Sequence, residues 1–288
     1  MQIVYEHPLW QATIETQGGN VVGLYYKPKQ LDLFRRPPAD KAWLQRPFTY
    51  GNAPLFPPGR TAYGKFHFAG RTYEWPENDN KSPSSLHGFV WQEIWEYEPK
   101  EDGFHLIFSK KTDFGHDFRL TLAYRFYEAE VTILATVENL SQAIMPLALG
   151  FHTNFHLASG TDAELILPAV EQWELNGNLW PTGRRIPMPH PYQQAVGSLV
   201  LDAAFHLLDP EDRQVRLRYG GNTIAYEADV SFNQWVIYRR SSDSDFISLE
   251  PYTLAPNGFN LPEPASLTGL QSLLPQKQKQ FSSKITLS

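Results

Sequence analysis

Four stretches of the sequence interrupt an apolar, alternating pattern with groups that can move protons or grip oxygen-rich ligands. In "ISLEPYTLAPNGFN", residues 247–260, an apolar run ends on Glu250 and Pro251 follows at once. A carboxylate at such a strand terminus is either a general base or half of an ion pair. The proline withholds a backbone donor and drives Glu250 towards an extended backbone, and Asn257-Gly258 reads as a tight turn beyond it. Rigidity of this kind suits a carboxylate that must be aimed. In "LGFHTNFHLASG", His152 and His156 stand four positions apart. On a helix that spacing puts two imidazoles on one face, as in some zinc sites. The preceding "MPLAL" is extended in character, however. No glutamate adjoins His152 and no third ligand is apparent nearby, so no metal is expected. His152 reads as a proton-handling residue at a strand end, and His156 as its structural neighbour.

The other two stretches say less when taken singly. "SSLHGFV" offers His87 and, beside it, Gly88, a residue that lets another group approach the backbone closely. "LFPPGR" ends on Arg60, whose planar fork of donors suits sugar oxygens or a carboxylate. On their own they read more simply as a turn histidine and an exposed loop arginine.

The elements that must position these groups are strands. "RLTLAYRFYEAEVTILATVENLS" alternates Leu120, Leu122, Tyr124 and Phe126 with Arg119, Thr121 and Arg125. After a short polar turn, Val131, Ile133, Ala135 and Val137 alternate with Thr132, Thr136 and Glu138. Two such runs read as a β-hairpin. "FHLIFSK", "AELILPA", "QVRLRYG", "QWVIYRR" and "SSKITLS" read as further strands. The best helical window, residues 262–274, holds too much proline and glycine for more than one short turn. Prolines gather in connections such as "RPFTYGNAPLFPPGR" and "PTGRRIPMPHPYQQ", which read as long ordered loops. No repeat or linker divides the chain. The expectation is an all-β protein, one domain over residues 1–288 built as a large antiparallel β-sandwich.

The totals agree. Of 288 residues 42% are hydrophobic and 14% aromatic, enough for a large core and against disorder. The net charge of -6 gives no basic surface for nucleic acid. The absence of cysteine excludes disulfides and cysteine-ligated zinc or iron–sulfur sites. The first residues show no basic segment followed by an apolar one, and no apolar run is long enough to span a bilayer. A soluble, cytoplasmic protein without a membrane partner is expected.

Taken together, the four stretches resemble the aldose 1-epimerase family, the galactose-mutarotase-like proteins. "NAPLFPPGRTAYGKFHFAGRTYEW" is similar to the family's proline-rich loop that delivers an arginine before a hairpin. "LHGFVWQEIWEY" resembles its His-Gly-Phe segment. "VENLSQAIMPLALGFHTNFHL" resembles its Asn-x-Ser, Met-Pro, Gly-x-His run, and "LEPYTLAPNGFN" its glutamate segment. All four occur in the family's order and cover most of the chain.

The resemblance implies a β-sandwich isomerase that interconverts the anomers of a hexose by acid/base ring opening, with no cofactor. It implies Glu250 as catalytic base, His152 as catalytic acid, and His87 and Arg60 as sugar-binding groups. It also implies an aspartate on the sugar hydroxyls, for which "VLDAAFHLLD" offers Asp202 first and Asp209 second. The partner is then a small sugar, and the protein a monomer or homodimer. Three segments depart from the family pattern. Asn154 stands where tyrosine is usual, Trp91 and Gln92 where an arginine often follows His-Gly-Phe, and Gly59 where asparagine often precedes the arginine. These bear on which sugar is bound. A hexose-6-phosphate 1-epimerase is the nearest alternative, with Arg35, Arg36, Arg184 and Arg185 as candidate phosphate holders. A non-catalytic carbohydrate-binding protein on the same fold is a third.

Overall fold

The strongest alternation in the sequence builds one of the longest ladders. Asp117–Phe126 and Glu130–Asn139 form the expected antiparallel hairpin, with Phe118 opposite Asn139 at one end and Phe126 opposite Val131 at the other. Its apolar positions, from Leu120 to Phe126 and from Val131 to Val137, are buried on one face. The computed structural model describes residues 1–111, 115–158 and 162–288. Strands make up 55% of the chain and helix 6%, so burial of alternating faces, not helix packing, builds the core.

Two large antiparallel sheets carry the architecture. The nine-stranded sheet runs Glu96–Lys100, Gly103–Lys111, the central hairpin, Gln278–Leu287, Asn222–Ala228, Gln214–Tyr219, Ala163–Leu167 and Tyr192–Ala195. The eleven-stranded sheet begins Gln2–Glu6, Trp10–Glu15, Asn20–Tyr26, Asn52–Leu55 and Gly150–His156. It continues through Phe246–Tyr252, Gln234–Arg239, Leu201–Leu207, Val170–Leu175 and Pro181–Pro187, with Leu31–Asp32 beside Asn20–Tyr26. The sheets pack face to face over a core rich in aromatic residues. Trp235 of the larger sheet meets Tyr226 of the smaller edge to face, with ring centroids 5.3 Å apart. Several polar groups inside this core are paired. Thr153 Oγ1 lies 2.8 Å from Asn52 Oδ1, and Asn52 Nδ2 donates to the Tyr124 hydroxyl at 3.0 Å.

The period of two then decides what the other face of the larger sheet presents. Thr153, Ile247 and Leu249 point into the sandwich, so their neighbours His152, Ser248 and Glu250 point away from it. A second apolar cluster lies on that outer side, formed by Phe48, Leu55, Trp91, Trp173, Ala204, Val236, Tyr252 and Ala255. The helical window yields the single turn Ala265–Thr268, as its composition predicts. Among the described residues no helix is long and apolar enough to cross a membrane.

Candidate active site

The ladder between Gly150–His156 and Phe246–Tyr252 pairs Gly150 with Tyr252 and Thr153 with Leu249. The register is unbroken between these anchors, so His152 stands directly opposite Glu250. Facing positions in an antiparallel pair share one side of the sheet, and the two side chains meet: His152 Nε2 lies 3.1 Å from Glu250 Oε1. Neither is at a strand terminus as the sequence suggested. His152 is the third residue of its strand, and the other strand continues through Pro251 to Tyr252. The polar residues interrupt the pattern because the outer face of a central strand becomes the floor of a pocket. The Tyr252 hydroxyl donates to the second carboxylate oxygen, Glu250 Oε2.

Both members of the pair are buried. Burial pushes the Glu250 carboxyl well above its usual range; the hydrogen bond from Tyr252 and the nearby Arg60 charge pull it back, while Asp202 adds to the rise. Burial also lowers His152 to about 3, with a hydrogen bond involving Asn154 opposing. The uncharged form of each partner is favoured, and the contact between them accommodates one shared proton.

A two-stranded ladder of Arg60–Ala62 with Ser84–Leu86 brings in the other two groups. It pairs Arg60 with Leu86, next to His87. His87 adopts a left-handed backbone, φ 63°, and its N–H donates to Gly59 O at 2.8 Å. Gly88 does what the sequence asked of it: a Cβ there would lie 2.0 Å from Phe56 O. The His87 ring packs on Phe48, centroids 4.5 Å apart, and edge-on to His152 at 5.3 Å. Burial holds the His87 proton off well below its ordinary range, helped by His152, Arg60 and Arg46.

Arg60 is not an exposed loop arginine. Its Nε binds Asp79 Oδ2 at 2.7 Å, and its Nη2 lies 3.6 Å from Asp202 Oδ2. Asp202 also receives Lys81 Nζ at 3.3 Å. These groups line one cavity of about 700 Å³ whose floor is His152, Glu250, Tyr252, Val236 and Ala204. Asp209 is elsewhere, capping a turn by accepting the Glu211 N–H at 2.8 Å. All five expected residues, Arg60, His87, His152, Asp202 and Glu250, thus converge.

The candidate phosphate holders are corrected. Arg35 pairs with Asp245, Arg36 with Asp32, Arg184 with Glu174 and Arg185 with Glu171, and none of the four lines the cavity. The cations that do line it are Arg46, Arg60, Lys81, Arg239 and Arg240. His152 and His156 lie on a strand, where an i, i+4 pair is about 13 Å apart, so they cannot share a metal as on a helix. A different trio can: His87, His152 and Glu250 each offer one ligand atom, all within 4.8 Å of one another. Sequence reasoning missed Tyr252, although its position two residues beyond Glu250 puts it on the same strand face. Asp79 and Lys81 come from "PENDNKSP", where no periodicity marks them.

The fold and the convergent site define a class. The profile of the aldose 1-epimerase family matches residues 1–286, and the chain belongs to that family. Among solved structures it is similar to a galactose mutarotase-like protein from Clostridium acetobutylicum, at 23% identity and TM-score 0.90, covering 100% of this chain and 95% of the other. An aldose epimerase homologue from C. elegans matches at 15% identity and TM-score 0.81, with 100% and 98% covered. A galactose 1-epimerase from Lactobacillus acidophilus matches at 13% identity and TM-score 0.77, with 100% and 94% covered. At these identities the likeness is one of fold.

Proposed function

We infer that this protein is an aldose 1-epimerase that interconverts the α and β anomers of a hexose. The observation that carries the reading is the facing pair His152–Glu250 on the floor of a polar cavity. In the reaction Glu250 takes the proton of the anomeric hydroxyl while His152 gives its proton to the ring oxygen. The C1–O5 bond breaks, a carbonyl forms at C1, rotation about C1–C2 presents its other face, and the steps reverse. One proton leaves His152 and one arrives on Glu250, so the pair's proton count never changes. Burial favours neutral histidine and protonated carboxyl, the arrangement after opening. Tyr252 and Arg60 favour the carboxylate, the arrangement before it. Groups so balanced work as acid and base in both directions.

His87, Arg60 and Asp202 hold hydroxyls so that the anomeric and ring oxygens face the acid/base pair. Lys81, Arg46 and Arg240 at the cavity favour one refinement, a sugar with an anionic substituent. Polarimetry of freshly dissolved α-glucose, α-galactose and glucose 6-phosphate tests both. Faster decay of optical rotation with protein is expected for at least one sugar, and the preferred one identifies the substituent. Binding without acceleration of any of them would leave a carbohydrate-binding protein.

A further inference from the structure

Tyr252 is a buried hydroxyl bonded to the Glu250 carboxylate, and the reaction above gives it no proton to move. Its placement is built. Tyr252 follows Glu250 by two residues on one strand, so both side chains leave the same face of the sheet. Its ladder partner is Gly150, where a Cβ would lie 2.6 Å from the ring carbon Cδ1. A Cβ on Gly59 would lie 3.4 Å from Cε2 on the ring. A side chain at Gly150 would therefore displace the ring, so the close approach needs glycine there. Between these walls the phenol points along the sheet, towards Glu250 Oε2. Glu250 Oε1 is left to His152, 3.1 Å away.

We propose that Tyr252 is the positioning residue of the Glu250 base: by occupying Oε2 it confines proton exchange to Oε1, the oxygen facing His152, and holds the carboxylate plane towards the sugar. The inference rests on the epimerase reading. Tyr252 does not itself pass the proton, because burial and the adjoining carboxylate hold its own proton on well above the ordinary tyrosine range. It is a fixed donor. A donor to a carboxylate stabilises the charged form, which opposes what burial does to Glu250.

Tyr252→Phe keeps the ring and removes only the oxygen. With the donor gone the shared proton shifts towards Glu250 and the working tautomer, carboxylate with imidazolium, becomes rarer. The expected result is a kcat lowered about 10-fold or more, the effect of one hydrogen bond to a charged group. KM should stay within about three-fold, since little ground-state binding is lost. The basic limb of the pH–rate profile should move to higher pH, because the state beyond it, carboxylate with neutral imidazole, is destabilised, while the acid limb, imidazole protonation beside a protonated carboxyl, should hardly move. A difluorotyrosine placed at 252, a stronger donor of nearly the same shape, should move the basic limb the other way. That substitution also decides the matter if the phenylalanine variant does not fold. A readout independent of turnover is the ¹³C signal of the Glu250 side-chain carboxyl, assigned by its loss in Glu250→Gln, which should titrate at higher pH in Tyr252→Phe. Unchanged kcat and basic limb with only a lower melting temperature would overturn the proposal in favour of a packing role. A raised KM with kcat retained would overturn it in favour of direct sugar binding. If the unaltered protein accelerates no anomerisation, the epimerase reading fails, while the carboxyl titration still decides whether Tyr252 governs Glu250.

Discussion

A carboxylate this deeply buried is a poor base unless something favours its charge. Glu250 is 1% exposed, with His152 on one oxygen and Tyr252 on the other. On the proposed roles, Glu250→Gln keeps the shape but cannot accept the anomeric proton. The rate should fall by about 10²-fold or more, the low end for loss of a general base. Sugar affinity should change little, because the lost interaction matters in the transition state. Asp202→Asn, at a group that grips Lys81 and lies near Arg60, should weaken binding at least as much as turnover. A folded Glu250→Gln protein with near-normal anomerisation would reduce Glu250 to an ion-pair partner. The same pair bears on metal. Although His87, His152 and Glu250 could ligate an ion, the proposed chemistry needs only the proton they hold. Full activity should therefore survive exhaustive chelation, and restoration by one particular metal after a loss would reverse the assignment.

At the scale of elements, the turn after Glu250 has a purpose that its sequence alone did not reveal. Asn257 donates its N–H to Arg60 O at 2.6 Å and accepts the Ala62 N–H on Oδ1 at 3.0 Å, clasping the strand that carries Arg60. The turn thus holds the arginine, while Pro251 and the ladder hold the base. Asn257→Ala puts alanine at a left-handed position, φ 56°, and leaves the buried Ala62 donor unpaired, and should cost about 1–3 kcal/mol. KM should rise more than kcat falls, since Arg60 moves and the acid/base pair does not. Equilibrium unfolding and initial rates check this, and an unchanged KM would detach the turn from sugar binding. What was legible beforehand divides along the same line. The hairpin from Asp117 to Asn139 was plain because its period is local. Glu250, His152, His87 and Arg60 stood out because they break such periods. That His152 faces Glu250 was not legible, because the register of strands about a hundred residues apart is decided by which faces are buried, not by either strand alone. Asp79 and Lys81 were invisible for a related reason: a loop's contacts leave no periodic trace.

For the whole molecule, burying two histidines and a carboxyl together ties stability to pH with opposing signs. His87 and His152 have folded values below the ordinary 6.5, His152 at about 3. Their contribution is complete above pH 6.5 and is lost as pH falls from there, because only the unfolded chain takes up those protons. Glu250 has a folded value above 4.5, so its contribution is complete below that pH and is lost as pH rises through its folded value. Between about pH 6.5 and 4.5 the two histidines therefore pull stability down on acidification while Glu250 pushes back. Below 4.5 the unfolded carboxyl is protonated as well, the opposition ends, and the fall steepens. Melting temperatures measured from pH 7.5 to pH 4 should trace that break in slope. His87→Gln removes one downward contribution and should flatten the decline between 6.5 and 4.5, whereas Glu250→Gln removes the upward one and should steepen it. The two variants are expected to depart from the unaltered protein in opposite directions. A melting temperature independent of pH over this range, or variants that shift its slope in the same direction, would mean that these three groups do not titrate as a buried cluster.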